Sequence, residues 1–351
     1  MKAFSYITDN SGKLGVAVSG GSDSMALLVL AADFGRTAGV TVSAATVDHG
    51  LRPEAAGEAK AVARECGRLG VAHDTLKWRR KAERPVSQAE ARRARHVLLA
   101  QWAARREISM LALGHTRDDR IETFLMRARQ GSGWHGLAGP MPNGYSPVWP
   151  EGAGLGLARP LLAFGREELR EELRARGVAW IEDPSNESGR FERVRMRRLL
   201  KRMNGQSGAK ALRVMDRLME MRAAVTAEAA SLLRRLSTGQ DGRAAIPLMA
   251  RETVGEEAWL RFLEAMVMAA GGAVAAPRRD ALERLAARIA AREPALARGV
   301  TLAGAAVHLR DGAVLTFAQA PPRRGTAPAK GAAWDRADAL LTAPDLRMLS
   351  V

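Results

Sequence analysis

The chain has one cysteine, Cys66, in 351 residues. An intramolecular disulfide, a cysteine-based zinc site and a protein-ligated iron–sulfur cluster each need several thiolates, so all three are excluded. No uncharged apolar run approaches the roughly 20 residues that span a bilayer. The opening MKAFSYITDNSGK turns polar too soon for a charged-then-apolar export signal. A cytoplasmic protein with no membrane partner is expected. Also missing is the GxxxxGK-Ser/Thr phosphate loop of Walker NTPases, and there is no internal repeat.

Hydrophobic residues make up 47% of the chain, enough for real cores, and 351 residues exceed one ordinary core, so two or three domains are expected. Lys plus Arg number 54 against 38 Asp plus Glu, a net charge of +16. That excess suits a polyanionic partner such as nucleic acid, and an Arg-rich genome would produce it too.

The organising stretch is LGVAVSGGSDSMALL, residues 14–28. Leu14, Val16 and Val18 alternate as in a buried strand, and from Ser22 the apolar residues Met25, Leu28 and Val29 recur at helical spacing. Ser19, Gly20, Gly21, Ser22, Asp23 and Ser24 then form a strand-to-helix turn. Its glycines allow close backbone approach to a ligand, and the opening helix N–H groups lack carbonyl partners, so it would attract phosphate. The plain alternative is a small-residue turn with no ligand.

Val40 to Val47 read as a second strand ending in Asp48, and residues 71–76 as a third. In an open α/β sheet, ligands gather beyond the carboxyl ends of strands, so Asp48 and the 19–24 turn would face one crevice. Asp48 as a helix cap is the simpler reading. Residues 87–106 form a basic helix with Arg95 among its arginines. Ile108 to Leu113 is another strand, leading into GHTRDDRIET at 114–123. There Thr116 and Asp119 have capping-box spacing, while Asp119 and Glu122 share a helix face. Two carboxylates beside a nucleotide would bind a metal or a cationic substrate.

Residues 131–144 carry five glycines and two prolines and read as a mobile loop. Leu155 to Pro160 is a last short strand, and a charged helix covers 166–176. Between Arg190 and Arg202 stand seven basic residues and one acid, Glu192. Such a helix would contact phosphates if it lay beside an anionic ligand, and is otherwise a solvated face. The expected division is a doubly wound parallel α/β domain over 1–205, a mainly helical domain over 206–320 with a β-hairpin near 299–318, and a loosely ordered tail over 321–351.

Taken in order, SGGSDS, VDHGLR (47–52), GHTRDDRIET, GSGWHGLAG (131–139), RPLL (159–162) and WIEDPSN (180–186) resemble the tRNA(Ile)-lysidine synthase family of PP-loop ATP pyrophosphatases. The likeness covers about the first 200 residues, whose fold would be that of the adenine nucleotide alpha hydrolases. Three positions depart from the family pattern: Arg120 where glutamine is usual, Gln130 before GSG, and Val194 where asparagine often follows the arginine. None of the three removes a charged residue that the chemistry needs.

The resemblance implies ATP with Mg2+, free lysine and an isoleucine tRNA with a CAU anticodon as partners. Ser19, Gly20, Gly21, Ser22, Asp23, Ser24 and Asp48 would bind ATP, with Asp23 also holding the metal. Asp119 and Glu122 would hold the substrate lysine, while His115 and Arg95 act near the transferring AMP. Arg190, Arg193, Arg195, Arg197 and Arg198 would contact tRNA. A homodimer is one assembly this admits.

Overall fold

The computed structural model describes residues 12–50, 55–79, 86–182, 205–273, 275–321 and 334–342, with Phe4 and Met196 besides. They fall into two compact units, within Met1–Glu220 and Met221–Ala343.

The first unit is built on one sheet of strands β1 (Lys13–Ala17), β2 (Thr41–Asp48), β3 (Ala72–Lys77), β4 (Met110–Leu113), β5 (Asn143–Tyr145) and β6 (Gly156–Ala158). Their order is β3-β2-β1-β4-β6-β5, and every neighbouring pair is parallel except β5 with β6. The connecting helices are α1 (Ser22–Ala38), α2 (Ala55–Leu69), α3 (Gln88–Arg105), α4 (Arg117–Arg129), α5 (Trp134–Leu137) and α6 (Arg166–Ala175).

Strand alternation divides the core between the two faces of the sheet. Leu14, Val16, Ala44, Met110 and Ala112 pack with Leu27 and Leu28 of α1 and with Leu169 and Leu173 of α6. Their neighbours Ala17, Ala45, Leu111 and Leu113 pack instead with Leu99 and Trp102 of α3. A sheet buried on both faces needs apolar residues of both parities, which is why β4 reads MLAL without a polar break. The doubly wound expectation therefore holds. Strand order reverses between β1 and β4, and at such a switch point the turns that follow diverge and leave a crevice.

The second unit combines the end of the long helix α7 (Gly205–Ser231) with α8 (Glu256–Gly271), α9 (Arg279–Ala290), α10 (Ala295–Arg298) and α11 (Trp334–Leu341). Its strands are β7 (Ser237–Thr238), β8 (Ala244–Pro247), β9 (Val300–Leu302), β10 (Ala305–Arg310) and β11 (Val314–Gln319), in the antiparallel order β7-β8-β11-β10-β9. Helix α8 is buried along most of its length, with Trp259, Phe262 and Leu263 packed in one core with Phe317 of β11. The expected hairpin is present as β10–β11, turned by Asp311 at φ +50° and Gly312 at φ +64°. It is the centre of five strands rather than an isolated pair, because Ala244–Pro247 and Val300–Leu302 supply its edges.

Two boundaries differ from the expected ones. The units part inside α7, after Glu220 rather than after 205, and the first half of α7 meets α4 through the Arg120–Asp216 ion pair. Within the expected loose tail, α11 is ordered: Ala337 and Leu341 are buried, and Arg336 donates to the carbonyls of Met268 and Ala273.

Candidate active site

The turn after β1 has the strand-to-helix shape expected of it. Gly20 has φ +89°, a conformation that favours glycine, and a Cβ there would come within 2.6 Å of Ile181 Cδ1, whose tip would have to shift. Its carbonyl accepts the Ile181 N–H at 2.9 Å. Gly21 is the extended N-cap of α1, and the N–H groups of Ser24 and Met25 both return to its carbonyl. Ser24 Oγ closes the loop by donating to Gly21 O and accepting the Ser19 N–H. Space is open above Gly21, at the positive end of a 17-residue helix. That geometry can receive an anion.

The turn after β4 lies against this loop. A Cβ on Gly114 would sit 3.1 Å from Asp23 O, so the two turns touch through backbone. Thr116 caps α4 as the spacing predicts, its N–H donated to Asp119 Oδ2 at 2.9 Å and its Oγ accepting the Asp119 N–H at 3.3 Å. The second Asp119 oxygen, Oδ1, accepts from Arg166 Nη2 at 3.0 Å. Asp119 thus closes the capping box with one oxygen and meets Arg166 with the other.

Arg166, the first residue of α6, joins the two turns. Besides Asp119, its Nε meets Asp23 Oδ2 at 3.0 Å and its Nη1 meets Glu122 Oε1 at 3.2 Å. Glu122 is fully buried. Burial pushes the Asp23 carboxyl above its ordinary range, an effect that Arg166 reduces. Burial also works against the Arg166 charge, but the three carboxylates outweigh it and hold the guanidinium above its ordinary value. Sequence reasoning missed Arg166, which reads there as one more charge on the charged helix 166–176.

Asp48 ends the adjoining strand β2, and its Oδ1 accepts the Gly50 N–H at 2.8 Å, which stabilises the turn that follows. His49 packs edge-on against Trp78, and burial together with Arg95 lowers its pKa. Arg95 is half-buried on α3, where burial and then Arg92 disfavour its charge. The adjacent His96 is buried, and burial followed by Arg92, Arg95 and Arg159 pushes its pKa down to about 4. His115 is half-buried at the end of β4, in the segment that carries Thr116 and Asp119.

The glycine-rich segment is more regular than its composition suggests. It contains α5 and β5, and Arg127 of α4 donates to Gly136 O. Arg190, Arg193, Arg195, Arg197 and Arg198 lie outside the described residues. Among the described residues no helix is long and apolar enough to cross a membrane.

A family model described as the PP-loop domain matches residues 2–203. A tRNA(Ile)-lysidine synthase of Hyphomonas neptunium is 44% identical over 298 residues, covering 85% of this chain and 79% of that protein. One from Methylobacterium nodulans is 40% identical over 323 residues, covering 90% and 92%. Among solved structures, a U34-tRNA thiolase from Methanococcus maripaludis with its 4Fe–4S cluster superposes with a TM-score of 0.51 at 16% identity, over 62% of this chain and 76% of that one. This last likeness concerns the fold alone. Cys66 is fully buried, its thiol pushed up to about 12 by burial, and offers no thiolate for cluster or sulfur chemistry.

Proposed function

The chain belongs to the tRNA(Ile)-lysidine synthase family, and from that premise we propose that it ligates lysine to C2 of the wobble cytidine of the CAU-anticodon isoleucine tRNA, changing its codon reading from AUG to AUA. The observation that carries this reading is the meeting of an anion-receiving helix start with Asp23, Asp119 and Glu122 at one switch point. Cytosine O2 is a poor leaving group. Its attack on the ATP α-phosphate forms a bond to AMP and breaks the α–β bridge, releasing pyrophosphate. The ε-amine of lysine then adds at C2 and AMP departs.

Each group has a place in that sequence. The backbone N–H groups at the start of α1 receive the pyrophosphate charge as it develops. Asp119 and Glu122 hold the ammonium of substrate lysine, and Arg95 meets the AMP phosphate. A free ε-amine has a pKa of about 10.4, so it must lose its proton before attack, and His115 is the base we assign. The basic stretch from Arg190 to Arg202 binds tRNA phosphates.

The donor set also fits Mg2+. Among the described residues no cluster of three or more acidic, histidine or cysteine ligands forms a dedicated metal cage. A single carboxylate, Asp23, at a phosphate-receiving turn is how Mg2+ is commonly held, with substrate oxygens and water completing the shell. The ion would supply charge neutralisation for the departing pyrophosphate.

The direct test is incubation of the protein with ATP, lysine and the CAU-anticodon isoleucine tRNA, followed by mass spectrometry of the anticodon nucleosides. A lysine adduct on the wobble cytidine is expected, and its absence from folded, tRNA-bound protein would sink this reading. The setting is the cytoplasm, where tRNA and lysine are free. The homodimer that the sequence admits would show in sedimentation at working concentration.

A further inference from the structure

We propose that Arg166 is a positioning residue whose single guanidinium locks the loop carboxylate of the first half-reaction and the lysine-holding pair of the second into one geometry. The inference rests on the ligase reading above. Its basis is that all three guanidinium nitrogens are used, each on a different carboxylate: Nε on Asp23 at 3.0 Å, Nη2 on Asp119 at 3.0 Å and Nη1 on Glu122 at 3.2 Å. Asp23 comes from α1, the other two from α4, and Arg166 from α6. A planar fork of fixed geometry sets the mutual position of its acceptors, which a flexible ammonium does not.

The fork is itself held. The Arg166 N–H donates to Asp118 Oδ2 at 2.7 Å, so main chain and side chain both engage the first turns of α4. Gly165 N–H donates to Glu168 Oε2 at 2.5 Å, and Glu168 in turn accepts from Arg117 Nη2 at 3.2 Å. Arg117 N–H closes the circuit on Phe164 O at 2.9 Å. One turn along α6, Arg170 Nε stands 3.5 Å from Ser22 Oγ, next to Asp23. The start of α6 is thus stitched to α4 and to the phosphate-loop helix at once.

Three carboxylates meet one guanidinium, so Asp23, Asp119 and Glu122 share the charge of Arg166. Without the guanidinium the three acids would repel one another in a poorly solvated site.

The test separates the half-reactions. Adenylation is read as pyrophosphate release with tRNA and no lysine, and ligation as a lysine chase of the trapped AMP-tRNA. Arg166→Ala is expected to slow both steps by at least about tenfold, whereas Glu122→Gln slows only the second. Because Arg166 acts through Glu122, the double variant should lose little more in the chase than Arg166→Ala alone. Millimolar methylguanidinium should restore part of both steps in Arg166→Ala and do nothing for Glu122→Gln. Arg166→Lys, whose ammonium cannot span three acceptors, should fold like wild type yet retain a raised KM for lysine, and it decides the matter if the alanine variant does not fold. The proposal is overturned by a lowered or unchanged lysine KM, by a defect confined to one step, or by additivity with Glu122→Gln. Wild-type protein that makes no lysidine would overturn the parent reading, while active wild type with equally active Arg166 variants would overturn this one alone.

Discussion

Asp119 and Thr116 bond each other in both directions, Thr116 N–H to Asp119 Oδ2 and Asp119 N–H to Thr116 Oγ, which leaves Asp119 Oδ1 for Arg166. The capping contacts and the Arg166 contact thereby fall on different oxygens of one carboxylate. The amide oxygen of asparagine can accept the same Thr116 N–H from this third helical position, so Asp119→Asn should keep the helix start and change Tm little. It places a neutral amide opposite a guanidinium and the substrate ammonium. Charge-assisted hydrogen bonds are worth about 1.5 to 3 kcal/mol, so lysine affinity should fall roughly ten- to hundredfold with adenylation spared. Full ligation activity in Asp119→Asn, measured in the lysine chase, would mean that Asp119 is only a cap.

The loop aspartate gives a contrasting expectation. Asp23→Ala leaves the turn closed by Ser24 and Gly21 but removes the carboxylate that faces Arg166. Pyrophosphate release should disappear while tRNA affinity, measured by filter binding, stays near wild type. Equal loss of both would make the loop a structural element.

The parts of this site that were legible in the sequence are those where a local pattern changes at a strand end. SGGSDS interrupts an alternating run and starts a helical one, and GHTRDD follows the four apolar residues of β4, so both turns could be located by periodicity alone. Arg166 could not, because its partners lie 143, 47 and 44 residues away and REELREEL has the pattern of a solvent-facing helix. The short strands β7 and β8 escaped for a different reason. Ser237–Thr238 and Ala244–Pro247 are too short to show alternation, and they gain strand geometry only by pairing with each other and with β11. Likewise α5 is a four-residue turn in a glycine-rich segment, set in place by Arg127 rather than by propensity.

The basic stretch beyond residue 190 can be tested by its salt dependence. Each phosphate that is no longer neutralised takes about 0.9 off the slope of log K against log salt on a duplex and about 0.7 on a single strand. Reversing Arg195 and Arg197 to Glu should therefore weaken tRNA binding and flatten that slope by roughly 1.4 or more. An unchanged slope, measured across a series of salt concentrations, would remove these residues from the interface.

His96 ties the folding stability of the protein to pH. This imidazole is 9% exposed, and burial followed by the charges of Arg92, Arg95 and Arg159 lowers its pKa to about 4. In the unfolded chain it titrates near 6.5. Between those values the unfolded state binds a proton that the folded state refuses, so stability must fall as pH falls. The neutral imidazole's contribution is complete above about pH 6.5 and exhausted below about pH 4. At pH 5 the loss amounts to about 2 kcal/mol from this residue alone, by linkage. Other groups titrate over the same range, so the comparison must be with His96→Phe, which keeps the apolar volume and removes only this proton site. Urea unfolding at about pH 7.5 and about pH 5 should show wild type losing about 2 kcal/mol more than the variant. Equal losses would mean that His96 is protonated in the folded protein, and that the arginines around it find their counter-charge elsewhere.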